Sequence, residues 1–210
     1  DLLEREIMNS LYPDNAYGVE SGGHPDAIPD LTYEDYLAFH GKYYHPSNSY
    51  IYLYGDMDMA EKLTFIDREY LSHFEARHVE SEVKRQERFD SPKETEIFYP
   101  ISDSESEEGN AYLSYNVMTA DSVDRECYVA FGILDYVIFS APGAPVRQAL
   151  IDAGIGKDVY STYENGIMQS YVSVIAKNAD ASQKDRFVEI IEKELKKLVE
   201  NLLFYLLLWI

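Results

Sequence analysis

The apolar residues of the chain change period several times along its length. Leu2, Leu3, Ile7 and Leu11 recur near helical spacing and predict an opening helix. The stretch 12–30, "YPDNAYGVESGGHPDAIPD", is rich in Gly, Pro, Asp and Asn and reads as a long ordered loop. Thr32 is the expected N-cap of a helix from Tyr33 to Tyr44, with Asp35 at its third position as a weak capping box. Pro46 ends that helix, because proline drives the residue before it out of the helical region. Tyr50, Tyr52 and Tyr54 then alternate with Ile51 and Leu53, the period-two signature of a strand, and Gly55-Asp56 turns the chain. A second helix carries Met59, Leu63, Ile66, Tyr70 and Phe74 on one stripe.

Past that point the apolar stripe is lost and charge dominates, which marks residues 77–93 as a linker. Strands are expected near 95–100 and 111–119, followed by a helix capped by Asp121 or Ser122 and running through Phe139. "SAPGAP" breaks it, and "VRQALIDAG" forms a short helix that ends at Gly154, a good C-terminal cap residue. Asn165-Gly166 predicts a hairpin, and Phe187, Ile191, Leu195 and Leu198 predict a last amphipathic helix. Strands and helices alternate in both halves, so the expected class is α+β, with units at 1–76 and 94–210 joined by the linker. The closing run 202–210, "LLFYLLLWI", is too short to span a bilayer and reads as a buried helix end or a non-native end. No stretch is expected to reach the ~18 apolar residues of a membrane span.

Charge narrows the partners. The 210 residues carry 38 acidic against 18 basic side chains, a net charge of −20. That argues against a nucleic-acid face, which needs clustered lysine and arginine; it favours basic partners through long-range attraction, or else is simply a solvated, soluble surface. Cys127 is the only cysteine, so no intrachain disulfide or cysteine-based zinc site can form; it reads as a core thiol on a helix. The chain opens without methionine and inside an apparent helix, so further sequence is expected before Asp1.

The histidines are the obvious metal candidates. His40 and His45 are five residues apart, as are His73 and His78. Five residues on a helix leave two rings about 140° apart, whereas helical zinc pairs sit four apart and face one ion. His40 is therefore expected to pack with Tyr36 and Tyr44, and His45 to close the helix end, where a cation suits the dipole. No G-x-S-x-G elbow, phosphate loop or dinucleotide fingerprint occurs, and no catalytic or metal residue is assigned in this chain. A separate metal-binding protein using His40 and His45 stays as a third, weaker reading.

The run "YGVESGGHPDAIPDLTYEDYLAFHGKYYHPSNSYIYLYGDMD" resembles the presequence-protease branch of the insulinase-like zinc metallopeptidases. "APGAPVRQALIDAGIGKDV" resembles the helix and loop before that family's second-domain hairpin, and the likeness extends to about Asn201. The resemblance implies the end of one and the start of a second insulinase-type domain, each a mainly antiparallel sheet with packed helices. It implies a zinc endopeptidase that degrades short unfolded peptides in an enclosed chamber. The family's H-x-x-E-H motif and distal glutamate, which hold the zinc, are absent here and are expected before residue 1; neither Glu4 nor Glu6 matches that glutamate. By the same likeness the piece is inactive alone, its partners are peptides and the remaining domains of the polypeptide, and Tyr160, Ser161 and Thr162 lie where related enzymes add a substrate strand to a sheet edge. The alternative is a non-catalytic structural or peptide-binding module of the same fold. A bacterial cytoplasm, or less readily a mitochondrial matrix, is the expected location.

Overall fold

The structure is a computed structural model that describes residues 2–208, with side chains described as far as Asn201. The reading of the tail 202–210 as a buried or foreign helix end concerns side chains outside the described residues. The fold is α+β. The chain forms two compact units, one joining the residues up to Val19 with those from Arg85 onward, the other Glu20–Lys84.

The Glu20–Lys84 unit is built on α2 (Tyr33–Tyr43) and α3 (Met59–Glu69). Thr32 Oγ1 accepts from the Asp35 N–H at 3.1 Å, as expected of an N-cap. The Asp35 carboxylate takes the Thr32 hydroxyl at 2.6 Å, so it serves the cap's side chain where a full box would serve its backbone. Asp58 caps α3 through the Glu61 N–H at 3.0 Å. Of the stripe expected on this helix only Met59, Leu63 and Ile66 lie on α3; Tyr70 caps it and Phe74 follows a 3-10 turn, and Met59, Leu63, Tyr70 and Phe74 are exposed. The strand expected at 50–54 is not in a ladder: Tyr50, Tyr52 and Tyr54 are all more than four-fifths exposed, and the sheet contains other strands only. Alternation specifies an extended backbone, but a strand also needs a neighbour to bond.

The other unit holds a three-stranded antiparallel sheet, order β1–β3–β2, with β1 Ala111–Asp121, β2 Asp158–Glu164 and β3 Gln169–Ala179. The register pairs Leu113 with Ala176 and Val159 with Ala176, so β3 is bonded on both sides. It is also covered on both faces. One face buries Val174 and Ala176 with Leu113 and Val159 against α5 (Pro145–Asp152) and α6 (Lys184–Leu208), through Val146, Leu150, Phe187, Ile190 and Ile191. The other buries Tyr171 and Ile175 against α1 (Leu2–Leu11), through Ile7, Leu11 and Tyr12. Burial of alternate side chains on opposite faces is why eight consecutive residues, Gln169 to Ala176, are all buried.

Several expected boundaries move for identifiable reasons. Residues 95–100 are in no ladder. β1 runs on to Asp121, so the cap of the next helix is Asp124, which accepts from Glu126 and Cys127 N–H at 3.1 and 3.0 Å; Ser122 instead donates to the Ile167 carbonyl. That helix, α4 (Arg125–Asp135), continues as a π-turn over Tyr136–Ser140. Cys127 sits half-exposed in its first turn beside Asp124, not in the core. By length and composition Arg125–Asp152 is the one stretch, among the described residues, apolar enough to cross a membrane, which a count of consecutive apolar residues missed. The chain leaves the helical path at Ala141–Ala144, however, so the stretch is two helices. Gly154 takes φ +68° where α5 stops, as expected of an αL cap. The hairpin forms, but Asn165-Gly166 is not a two-residue turn: Glu164 pairs with Tyr171, leaving a longer loop in which the Gly166 N–H donates to Glu164 Oε1 at 2.8 Å.

Tyr12 carries a pH-dependent part of this packing. Its ring is fully buried, edge-on to Tyr171 at 6.2 Å between centroids, and its hydroxyl donates to the Gln169 carbonyl at 2.6 Å. Burial, with Tyr171 nearby, pushes the Tyr12 phenol far up; burial, with Glu164 and Glu4 nearby, raises Tyr171 to about 12. Unfolded phenols ionise near pH 10, so between that and the folded values the unfolded state is the one that has lost protons. Stability is therefore fully present below about pH 10 and falls as pH rises beyond it. Urea unfolding should give a level midpoint from about pH 8 to 9.5 and a declining one above pH 10, with a shallower decline in Tyr12→Phe.

Candidate peptide-binding site

β2 is an edge strand, bonded to β3 on one side only. Arg147 on α5 donates from Nε to the Val159 carbonyl at 2.9 Å. That carbonyl therefore points away from β3. Along an antiparallel strand the outward residues alternate, so Ser161 and Tyr163 also turn their backbone N–H and C=O to the open side, while Tyr160 and Thr162 turn theirs to β3.

The side chains divide differently. Val159 faces the α5–α6 core, and Ser161 on the same face is held by hydroxyl bonds to Asp135 Oδ1 and Ser140 Oγ, both 2.7 Å. Ser140 Oγ also lies 3.3 Å from Asp135 Oδ2, and its one proton serves either that oxygen or Ser161 Oγ. Burial, with Tyr112 adding to it, raises the Tyr160 phenol. A hollow of about 330 Å³ opens here. Its walls are Ser140 and Pro142 from the α4–α5 connection and Arg147 from α5, and its floor is Asp158–Ser161 of β2.

The three residues picked from sequence thus lie consecutively on the edge strand, but only Ser161 offers its backbone outward, and its side chain is already engaged. Asp135, Ser140 and Arg147 were missed, because each reaches β2 from 12 to 26 positions away in sequence. The only signal available beforehand was Arg147 itself, a cation set among apolar residues in "APVRQALIDAG".

The histidines have local roles. His40 lies between Tyr36 and Tyr44, with ring centroids 6.5 and 4.5 Å away. His45 does not close α2 as a cation. Its Nδ1 accepts from the Ser47 N–H at 3.1 Å, which requires an unprotonated nitrogen, and partial desolvation together with Arg77 lowers its pKa. Among the described residues no three His, Cys, Asp or Glu side chains converge as a metal site, so the residues present do not fit a zinc ion and no chemistry is routed through one here.

A family model described as "Peptidase M16 inactive domain" matches residues 30–203. The chain is 45% identical over 200 residues to "Protein HypA" of Clostridium perfringens, covering 95% of this chain and 21% of that protein. It is 33% identical over 205 residues to "Presequence protease 1, chloroplastic/mitochondrial" of Arabidopsis thaliana, covering 96% of this chain and 19% of that one. It is 30% identical over 203 residues to "Presequence protease, mitochondrial" of Xenopus tropicalis, covering 95% and 20%. The chain spans about a fifth of the length of these curated relatives.

Proposed function

Because the chain belongs to the peptidase M16 inactive-domain family, we propose that it serves a zinc-dependent endopeptidase as a non-catalytic part that holds unfolded peptide along β2. The open backbone edge at Ser161 and Tyr163 is the observation that carries this reading. An extended segment can bond there without displacing any existing ladder. The zinc ion and the groups that act on the scissile bond belong to the remainder of the polypeptide, whose domains are this chain's permanent partners. The limits 1–76, 77–93 and 94–210 are the proposed junctions of the first domain, linker and second domain. The net charge of −20 suits basic peptides and argues against nucleic acid. The relatives named above come from a bacterium and from organisms whose proteins are titled mitochondrial or chloroplastic; a bacterial cytoplasm or a mitochondrial matrix is the proposed setting.

The purified 210-residue chain, incubated with zinc and a quenched fluorogenic peptide, should show no turnover. Cleavage that a chelator abolishes would overturn the non-catalytic assignment. The description of the matched family as inactive also suits a second reading, a parent that has lost its zinc ligands and only binds peptide. Reading the coding region upstream for H-x-x-E-H and a distal glutamate separates the two.

A further inference from the structure

We propose that the hollow beside β2 is a subsite for the free α-carboxylate of a bound peptide, with Arg147 as its receptor. This rests on the strand-addition reading above and adds a direction and an end to it. Arg147 is half-buried, and its Nε is fixed on the Val159 carbonyl at 2.9 Å. That bond uses Nε and leaves the two terminal nitrogens of the guanidinium for a ligand; Arg147 lines the hollow, and among the described residues it makes no ion pair. A planar guanidinium with two spare nitrogens matches a carboxylate through paired N–H bonds.

The same bond stops the edge. With the Val159 carbonyl taken, a peptide can ladder on Ser161 and Tyr163 but cannot continue past Val159 toward Asp158. A peptide bound here must end, or leave the sheet, at Arg147. β2 runs from Asp158 to Glu164. A peptide laid antiparallel therefore brings its C-terminus to Arg147, and one laid parallel brings its N-terminus. A cation at that point favours the first arrangement and repels the ammonium of the second. Asp135 is bonded to the Ser161 hydroxyl at 2.7 Å and does not line the hollow. Asp158 lies in the hollow's floor but is exposed to solvent, where its field is screened. The acidic surface and the Arg147 cation act together: the first attracts a basic peptide, and the second seats the one anion every unblocked peptide has.

The test is a pair of otherwise identical basic, extended peptides, one ending in a free acid and one in a carboxamide, titrated against the 210-residue chain by fluorescence anisotropy at about 0.15 M salt. The acid should bind at least ~10-fold more tightly than the amide. In Arg147→Gln this preference should vanish while amide binding persists; Arg147→Lys should keep part of it, and circular dichroism checks that both variants are folded. Equal binding of acid and amide to the parent chain overturns the carboxylate subsite and leaves the edge reading standing. Binding of neither peptide overturns the edge reading itself. A preference that survives in folded Arg147→Gln places the carboxylate elsewhere and also overturns the proposal.

Discussion

Replacing Phe187 by alanine is expected to lower the unfolding free energy by about 3–5 kcal/mol, read as a drop in the urea midpoint with an unchanged slope. The side chain is 1% exposed and stands at the centre of the cluster where α6 meets α5 and the sheet, among Val146, Leu150, Val174 and Ile191. These neighbours come from two helices and a doubly bonded strand, so they can close only part of the space left behind, and the residual cavity adds to the lost burial. Val199 on the same helix is 60% exposed; Val199→Ala should change stability by no more than about 0.5 kcal/mol. Similar losses at both positions would mean that α6 is not seated on the sheet as described.

The second large effect is expected at Gln169. Its side-chain amide brackets the backbone of Gln86: Oε1 accepts from the Gln86 N–H at 2.6 Å, and Nε2 donates to the Gln86 carbonyl at 3.0 Å. The Gln86 side chain in turn joins Asp14, accepting from its N–H at 3.0 Å and donating to Oδ2 at 2.7 Å. Gln86 and Gln169 are both buried. Gln169→Ala removes the partners of two buried backbone groups at once, and each group left unsatisfied costs about 1–3 kcal/mol, so the expected total is about 2–6 kcal/mol. Hydrogen exchange supplies a specific readout: the Gln86 amide should lose its protection in the variant, while the amides of β3 that bond to β1 keep theirs. Retained protection at Gln86 would show that another group holds it.

These two positions also show what the sequence could and could not disclose. Phe187 and Ile191 were visible as core because helical period is a property of consecutive residues. The β2–β3 hairpin was visible because turn chemistry is local too, although its exact turn was not, since the loop is closed by the Glu164 side chain. Gln86 was invisible. It lies in a charged run with no period, and what bonds its backbone is a glutamine 83 residues later. The strand at 50–54 failed for the opposite reason: its pattern is strong, but pairing depends on a neighbouring strand and not on its own residues. The site divides in the same way. Resemblance drew attention to Tyr160–Thr162, whereas the outward direction of the Ser161 backbone and the arginine that ends the edge follow only from a contact between α5 and β2. His45 was visible as a residue but not as an acceptor, because the Ser47 amide that it accepts from, and the desolvation and Arg77 that lower its pKa, follow from the fold.

The most direct test of peptide holding along β2 uses main-chain chemistry on the ligand. An extended peptide is titrated against the 210-residue chain beside two versions N-methylated at alternate residues, one in each register. Only outward-facing backbone such as that of Ser161 and Tyr163 can bond the ligand, so one methylated register should lose at least ~10-fold in affinity while the other binds nearly as the parent peptide does. Equal binding of all three peptides, or no binding of any, would contradict strand addition at this edge.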